Sequence, residues 1–229
     1  MEYLPGGFSL NLAEGCFPLS TDSMVLAYFT KLPRNARVLD LGSGCGTIGI
    51  LLCAKDIGCN VTGIELDETA HQTALKNSKD NRLQSRLQSI CGDFTQIADH
   101  TDPGSFDICV SNPPYFTAGF LSQTTPLARH EQSCSLELLM KSAAWALKFG
   151  GDFYLVHKPE RRAEIFFAAS SNKLQPKRLC LLRHKENGPV SLVLVQCRKG
   201  AKPGLTWEEA ALHSEDGQPT AYYRQVYHL

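Results

Sequence analysis

The sequence has no net charge, no hydrophobic stretch long enough to cross a bilayer and no two cysteines in C-x-x-C spacing. Its most apolar run, residues 47–54, is far shorter than the roughly 20 residues that a membrane helix needs. The first basic residue is Lys31, so the N-terminus lacks the charged start of a secretory signal. These absences predict a cytoplasmic protein without a membrane partner.

The nine cysteines are scattered, and most of them lie inside apolar strand or helix patterns. The seven histidines show no spacing typical of metal ligands. Because structural zinc sites use closely spaced ligands, this distribution predicts reduced thiols in the core and no metal site.

Short apolar runs alternate with helical patterns along most of the chain. Five such runs predict strands at 37–41, 60–65, 87–91, 106–111 and 152–157, and helical patterns follow at 67–81, 136–149 and 160–172. This alternation predicts an α/β fold, a Rossmann-like doubly wound and mostly parallel seven-stranded sheet. Residues 179–182 and 192–197, on either side of Asn187-Gly188-Pro189, predict an antiparallel hairpin at one sheet edge.

The whole chain, 1–229, is predicted to form one domain. Residues 1–35 form an N-terminal extension over the substrate and cofactor, 36–200 form the core, and 201–229 form a tail with a turn at 215–217. Within the extension we expect a β-hairpin between 8–10 and 17–19. A helix then begins at Ser20 or Thr21 as N-cap, with Asp22 in its first turn, and ends before Pro33.

The zero net charge conceals an uneven distribution. Residues 1–140 carry 9 basic and 15 acidic side chains, 141–202 carry 13 and 4, and 203–229 carry 1 and 4. Local positive charge of this kind is typical of a region that contacts a polyanion, although a solvated helix face and strand ends would produce it as well.

Polar residues stand at the ends of three predicted strands: a glycine-rich loop after 37–41, Glu65 at the end of 60–65, and Asp93 after 87–91. In a doubly wound sheet the carboxyl ends of the strands bind the ligand, so these groups should face one crevice. The loop begins with Asp40 inside the strand. An acid there is unfavourable beside a pyrophosphate and suits an ammonium group, which favours S-adenosylmethionine over a nicotinamide cofactor.

The segment Asn112-Pro113-Pro114-Tyr115 follows the strand at 106–111. Two prolines fix φ at both positions and remove two backbone donors, so the tip is extended and stiff. Taken alone, it is an ordinary Asn-Pro turn as readily as a site.

Two motifs resemble those of a known enzyme family. Residues 40–46, Asp-Leu-Gly-Ser-Gly-Cys-Gly, are similar to the glycine motif of class I S-adenosylmethionine-dependent methyltransferases. Residues 112–115 resemble the N-P-P-[YF] motif of members that methylate planar exocyclic or amide nitrogens. Looser matches at 17–29, 128–131 and 216–227 resemble bacterial tRNA adenine-N6 methyltransferases that modify the adenine beside the anticodon of valine tRNA.

The resemblance implies a site for S-adenosylmethionine and its product S-adenosylhomocysteine, without a metal. Asp40 and the backbone of Gly42 and Gly44 would hold the methionine part, Glu65 the ribose hydroxyls, and Asp93 with its neighbour the adenine. The full predicted cofactor site comprises Asp40, Gly42, Ser43, Gly44, Gly46, Glu65, Leu66, Asp93, Phe94 and Asn112.

The acceptor implied by the resemblance is the N6 amine of adenine in RNA, specifically tRNA. The Asn112 side-chain oxygen and the Pro113 carbonyl would accept hydrogen bonds from the amine while Tyr115 stacks on the base, which makes these three the predicted catalytic residues. The predicted substrate contacts are Pro114, Tyr115, Phe116, Asp22, Arg129, His130, Arg161 and Arg162. We expect a monomer or a weak homodimer.

Other functions remain open at this stage. The same tip serves methyl transfer to a release-factor glutamine or to guanine N2 of ribosomal RNA, but only about 35 residues precede the first core strand, which favours a nucleic acid over a release factor. A nicotinamide oxidoreductase leaves the proline tip unexplained. A cofactor-binding protein without catalysis is the third alternative.

Overall fold

The structure is a computed structural model that describes residues 1–13, 19–114 and 136–228. Its strands are β1 (Glu2–Tyr3), β2 (Ser9–Leu10), β3 (Arg37–Leu41), β4 (Asn60–Glu65), β5 (Leu87–Cys91), β6 (Phe106–Ser111), β7 (Leu147–His157), β8 (Leu174–Lys185), β9 (Val190–Lys199) and β10 (Thr206–His213). Its α-helices are α1 (Thr21–Phe29), α2 (Thr47–Lys55), α3 (Glu68–Asp80), α4 (Leu136–Ala146), α5 (Arg162–Ser171) and α6 (Ala221–Tyr227). Within those ranges, no helix combines the length and apolarity needed to span a membrane.

The main sheet has eight strands in the order β10-β8-β9-β7-β6-β3-β4-β5. All neighbouring pairs are parallel except β7 with β9 and β8 with β9, so the predicted α/β fold with a mostly parallel sheet is confirmed. The carboxyl ends of seven strands, all except β9, therefore lie along one edge of the sheet. This edge runs across the strand ends and not along an outermost strand.

The sheet contains one strand more than the predicted seven. Strand β10 pairs with β8, so the β8–β9 hairpin is not at the edge of the sheet. The sequence of β10, Thr-Trp-Glu-Glu-Ala-Ala-Leu-His, is rich in residues that do not favour strands, and it becomes a strand because β8 offers an unpaired edge. The turn predicted at 215–217 is confirmed, since the Gly217 N–H donates to the Ser214 carbonyl at 3.0 Å.

Two apolar cores lie on opposite faces of the sheet, because side chains alternate along each strand. In β3, Val38 belongs to the core that contains α1 and α2, whereas Leu39 belongs to the core that contains α4 and α5. All four strands from β3 to β6 begin and end at the predicted residues. This agreement fixes where the loops that follow them start.

The N-terminal hairpin differs from the prediction. Residues 9–10 pair with 2–3, in antiparallel register between Tyr3 and Ser9, and not with 17–19. Phe17 and Pro18 lie outside the described residues. Helix α1 has the predicted cap, because Ser20 Oγ accepts from the Ser23 N–H at 3.4 Å, and it ends at Phe29, before Pro33.

The glycine pair Gly150-Gly151 does not separate a helix from a strand as predicted. Helix α4 ends at Ala146, and β7 runs from Leu147 through both glycines. Gly150 has φ +81°, and the pairing of β6 with β7 shifts register there. A glycine in the left-handed region allows a bulge, so the strand bends and continues.

Candidate active site

Four neighbouring strands bring the predicted cofactor residues to one edge of the sheet. Strands β6, β3, β4 and β5 are adjacent and parallel, and at their carboxyl ends lie the Asn112 tip, the glycine loop, Glu65 and Asp93, respectively. The strand order therefore places these groups next to one another, as the predicted common crevice requires.

The backbone of the glycine loop has positive φ angles at three positions. Gly42, Gly44 and Gly46 have φ of +74°, +55° and +84°, which L side chains rarely adopt. The N–H groups of Gly42 and Ser43 donate to the Ile64 carbonyl at 3.0 and 3.1 Å, which ties the loop to β4. A Cβ added to Gly42 or Gly44 would meet no atom within 4 Å, so the loop leaves space for a ligand against its backbone.

Asp40 lies beneath this loop, and no described residue forms a hydrogen bond with its carboxyl group. The residue is 1% exposed. Burial, together with the nearby charge of Glu65, raises the pKa of Asp40 to about 8. A buried carboxyl without a donor is costly, so this position suits a cationic ligand group that the protein does not itself supply.

Glu65 is anchored on the neighbouring strand end. Its Oε2 accepts from the Gly44 N–H at 2.7 Å and its Oε1 from the Asp67 N–H at 2.9 Å. The carboxylate thus joins β4 to the glycine loop. Its neighbour Leu66 is 47% exposed, an apolar surface beside the same crevice.

Asp93 begins a short 3₁₀ helix after β5. Its Oδ1 accepts from the Thr95 N–H at 2.8 Å, and the adjacent Phe94 is half-buried. Together with Asp40, the open glycines and Glu65, these groups offer an acid for an ammonium, an acid for hydroxyls and an aromatic for a purine. The residues therefore fit S-adenosylmethionine.

Asn112 lies at the end of β6, directly beside β3. Ser111 Oγ donates to the Leu41 carbonyl at 2.7 Å and fastens the two strand ends together. The Asn112 side chain donates from Nδ2 to Ser23 Oγ at 3.2 Å. Pro113 is buried and Pro114 half-buried.

The N-terminus of α1 therefore lies against the tip. Asp22, a predicted substrate contact, is half-buried in the first turn of this helix, one residue before Ser23. Four other predicted residues lie outside the described part of the chain: Tyr115, Phe116, Arg129 and His130.

Arg161 and Arg162 follow β7, whose carboxyl end neighbours that of β6. Arg161 pairs with Glu164 at 2.6 Å, whereas Arg162 is exposed and donates from Nη1 to the Pro159 carbonyl at 2.9 Å. Both arginines are thus on the same sheet edge as Asn112.

The basic region 141–202 does not form one surface. Lys173 and Lys202 lie at the opposite sheet edge, near the start of β8 and after the end of β9. Other members are neutralised by ion pairs, as in Arg178 with Glu208 and Arg198 with Asp152. The charge count along the sequence could not separate these groups, because strand direction decides which edge each one reaches.

Asn77 on α3 contacts the glycine loop, which the sequence did not indicate. It is fully buried, and its Nδ2 donates to the carbonyls of Asn11 and Cys45 at 2.8 and 2.9 Å. Its Oδ1 accepts from the Asn11 N–H at 2.8 Å. One amide thus joins the N-terminal segment, α3 and the glycine loop. A lone asparagine in a polar helix gives no signal of such a role.

The family model described as methyltransferase small domain matches residues 19–175. A tRNA1(Val) (adenine(37)-N6)-methyltransferase of Photobacterium profundum is 28% identical over 214 residues, which cover 91% of this chain and 89% of the relative. One of the same name from Bacteroides fragilis is 31% identical and covers 77% of this chain and 75% of the relative. A crystal structure from Agrobacterium tumefaciens, described as a predicted O-methyltransferase, superposes with a TM-score of 0.77 over 91% of this chain and 96% of its own, at 22% identity, and shares the fold.

The doubly wound sheet, the open glycine loop above a buried acid and these matches define a class I S-adenosylmethionine-dependent methyltransferase. The class accounts for the acid in β3, which a dinucleotide site would disfavour. Within it, this chain belongs to the methyltransferase small domain family.

Proposed function

We propose that the enzyme transfers a methyl group to the exocyclic N6 amine of an adenine in tRNA, in the anticodon loop. The observation that carries this proposal is the set of relatives named tRNA1(Val) (adenine(37)-N6)-methyltransferase, similar over most of the chain. The Asn-Pro-Pro-Tyr sequence at 112–115 is consistent with an acceptor nitrogen of this kind.

The proposed cofactor contacts follow from charge. Asp40 receives the ammonium of the methionine part, which supplies the partner that the buried carboxyl lacks, and Glu65 receives the ribose hydroxyls. Asp93 and Phe94 flank the adenine. The open backbone at Gly42 and Gly44 admits the ligand close to the loop. When bound, S-adenosylmethionine supplies a sulfonium methyl, a strong electrophile.

The proposed role of the tip is to direct the amine lone pair. The lone pair of an arylamine is delocalised into the ring, so the amine is a poor nucleophile. Asn112 Oδ1 and the Pro113 carbonyl accept hydrogen bonds from the two amine N–H groups. These bonds strengthen as the nitrogen becomes tetrahedral and positive, which stabilises the transition state more than the ground state.

Tyr115 and Phe116 are proposed to stack on the base once it leaves its neighbours in the loop. Asp22, Pro114, Arg129 and His130 are proposed to contact the acceptor, and Arg161 and Arg162 to bind backbone phosphates. The support for the arginines is their position beside β6, on the edge that carries Asn112.

The test is methyl transfer from labelled cofactor to total tRNA, ribosomal RNA and release factors in parallel, followed by nucleoside and amino-acid analysis. We expect N6-methyladenosine in tRNA. Label in N2-methylguanosine or in a glutamine amide, with none in adenine, would refute the proposal.

The role of the tip is tested with Asn112→Ala. We expect turnover to fall by about 100-fold or more, because a hydrogen-bond partner of the developing charge is lost, with cofactor affinity changed by less than about threefold. Asn60→Ala is the matched control, since Asn60 is exposed at the opposite sheet edge. Near-normal turnover of Asn112→Ala would contradict the assignment.

A further inference from the structure

The contact between α1 and the tip joins an amide to a hydroxyl at the proposed reaction centre. Asn112 Nδ2 donates to Ser23 Oγ at 3.2 Å, and Ser23 is only 8% exposed. Ser20 Oγ lies 3.5 Å from Ser23 Oγ and can accept a hydrogen bond from the Ser23 hydroxyl. In that arrangement the Ser23 oxygen presents a lone pair to the Asn112 amide.

The orientation of this amide decides what it can do to an amine. An asparagine side chain has an accepting oxygen at one end and a donating NH₂ at the other, and rotation by about 180° exchanges them. With Nδ2 bonded to Ser23, Oδ1 is the end of the amide that does not contact this hydroxyl. The exchanged orientation would point donors at the N–H groups of an acceptor amine, and catalysis by hydrogen-bond acceptance would fail.

Helix α1 is held firmly enough to act as a fixed reference. At its start, Thr21 Oγ1 lies 3.1 Å from the hydroxyl of Tyr227 on α6. At its end, Lys55 Nζ donates to the Thr30 carbonyl at 2.6 Å. The residues between Ser23 and Ala27 are buried, so the helix cannot shift without opening the core.

We propose that Ser23 is a positioning residue that holds the Asn112 side chain with Oδ1 directed toward the acceptor nitrogen. The proposal rests on the proposed N-methyl transfer and adds to it the residue that fixes the orientation of the Asn112 side-chain amide. Ser23 acts through Asn112 and does not itself contact the methyl acceptor.

Ser23→Ala removes the hydroxyl that accepts from Nδ2, and with it the contact that favours this orientation of the amide. We expect kcat to fall by about 10- to 100-fold, as for other groups that orient a reacting residue, with the Kd for S-adenosylmethionine unchanged. Ser23→Thr keeps a hydroxyl at the same position and should restore most of kcat. In the Asn112→Ala background, Ser23→Ala should cost nothing further, because the residue it positions is gone.

Ser78→Ala is the matched control. Ser78 is another buried helical serine, whose Oγ donates to the Leu87 carbonyl at 2.7 Å on a different part of the sheet. Its loss should lower the unfolding temperature by a similar amount without a fall in kcat. The side-chain amide ¹⁵N–¹H signals of Asn112, identified by their absence in Asn112→Ala, should move in Ser23→Ala and stay in place in Ser78→Ala.

Three results would overturn the proposal: unchanged kcat and unchanged Asn112 amide signals in Ser23→Ala, an equal fall of kcat in Ser78→Ala, or additive losses in the double variant. If the wild-type enzyme methylates a different acceptor, the proposed substrate is wrong, and the same comparisons on that acceptor still decide whether Ser23 positions Asn112.

Discussion

The proposed contact of the buried Asp40 with the cofactor ammonium predicts an affinity that depends on pH. In the free protein the pKa of Asp40 is raised to about 8, and binding of an ammonium requires the carboxylate. Binding at neutral pH must therefore remove a proton from Asp40. At pH 6 a group of this pKa is about 1% ionised and at pH 7 about 10%, so affinity should rise about tenfold, or about 1.4 kcal/mol, over that unit and level off near pH 8.

Calorimetry of S-adenosylmethionine binding in buffers of different ionisation enthalpy measures both quantities. We expect release of nearly one proton per cofactor at pH 6.5 and an affinity that increases to about pH 8. Asp40→Asn, which keeps the shape and removes the charge, should bind weakly and without proton release. Constant affinity from pH 6 to 8 in the wild-type protein, with no proton released, would refute the assignment of Asp40 to the ammonium.

Glu65→Gln tests separately the contribution of a neighbouring charge to the raised pKa of Asp40. Burial is the larger cause of the raised pKa of Asp40 and the charge of Glu65 the smaller, so this variant should move the pH dependence to lower pH. The position of the pH dependence is the measured quantity, because Glu65 also contributes to affinity. An unchanged midpoint would show that the two carboxyls do not interact.

The same shift affects stability with the opposite sign. Since the folded protein holds a proton on Asp40 that the unfolded chain releases above about pH 4, the stability this group contributes is present below pH 4 and is lost as pH rises to about 8. Relative to wild type, Asp40→Asn should therefore be more stable at pH 8 than at pH 5 in denaturant unfolding. A difference that does not grow with pH would contradict the raised pKa.

Two further predictions concern residues around the proposed site. Arg162→Glu should weaken tRNA binding and reduce the slope of log affinity against log salt by about one. Lys202→Glu, at the opposite ends of the strands, should leave the slope unchanged. Equal slopes for both variants would remove Arg162 from the interface. Asn77→Ala should weaken cofactor binding by about tenfold in the same calorimetry, because the Cys45 carbonyl loses its donor. Asn81→Ala removes bonds to Ser9 and to the Asn77 carbonyl but none to the glycine loop, and should not weaken it. Equal losses would separate Asn77 from the glycine loop.

The sequence determined the frame of the site because its signals are local. Strands β3 and β6 are short, mostly apolar runs that are buried along nearly their whole length, and burial on both faces of a parallel sheet requires such a run. Strand β5, the outermost strand, is more polar and more exposed. The glycines after β3 and the prolines after β6 restrict the backbone independently of their surroundings. Strand order then places these loops side by side, so the crevice followed from pattern and topology rules alone.

The tertiary structure decided what depends on partners distant in sequence. Strand β10 forms because β8 has an open edge, not because its own residues favour a strand. The contact of Ser23 with Asn112 spans 89 positions, and the bond of Glu65 to Gly44 spans 21. A side-chain hydrogen bond involves only its donor and its acceptor residue, so the sequence between them contains no pattern that predicts it. The sequence supplied Asp40, Glu65 and Asn112; their burial, charge coupling and orientation came from packing.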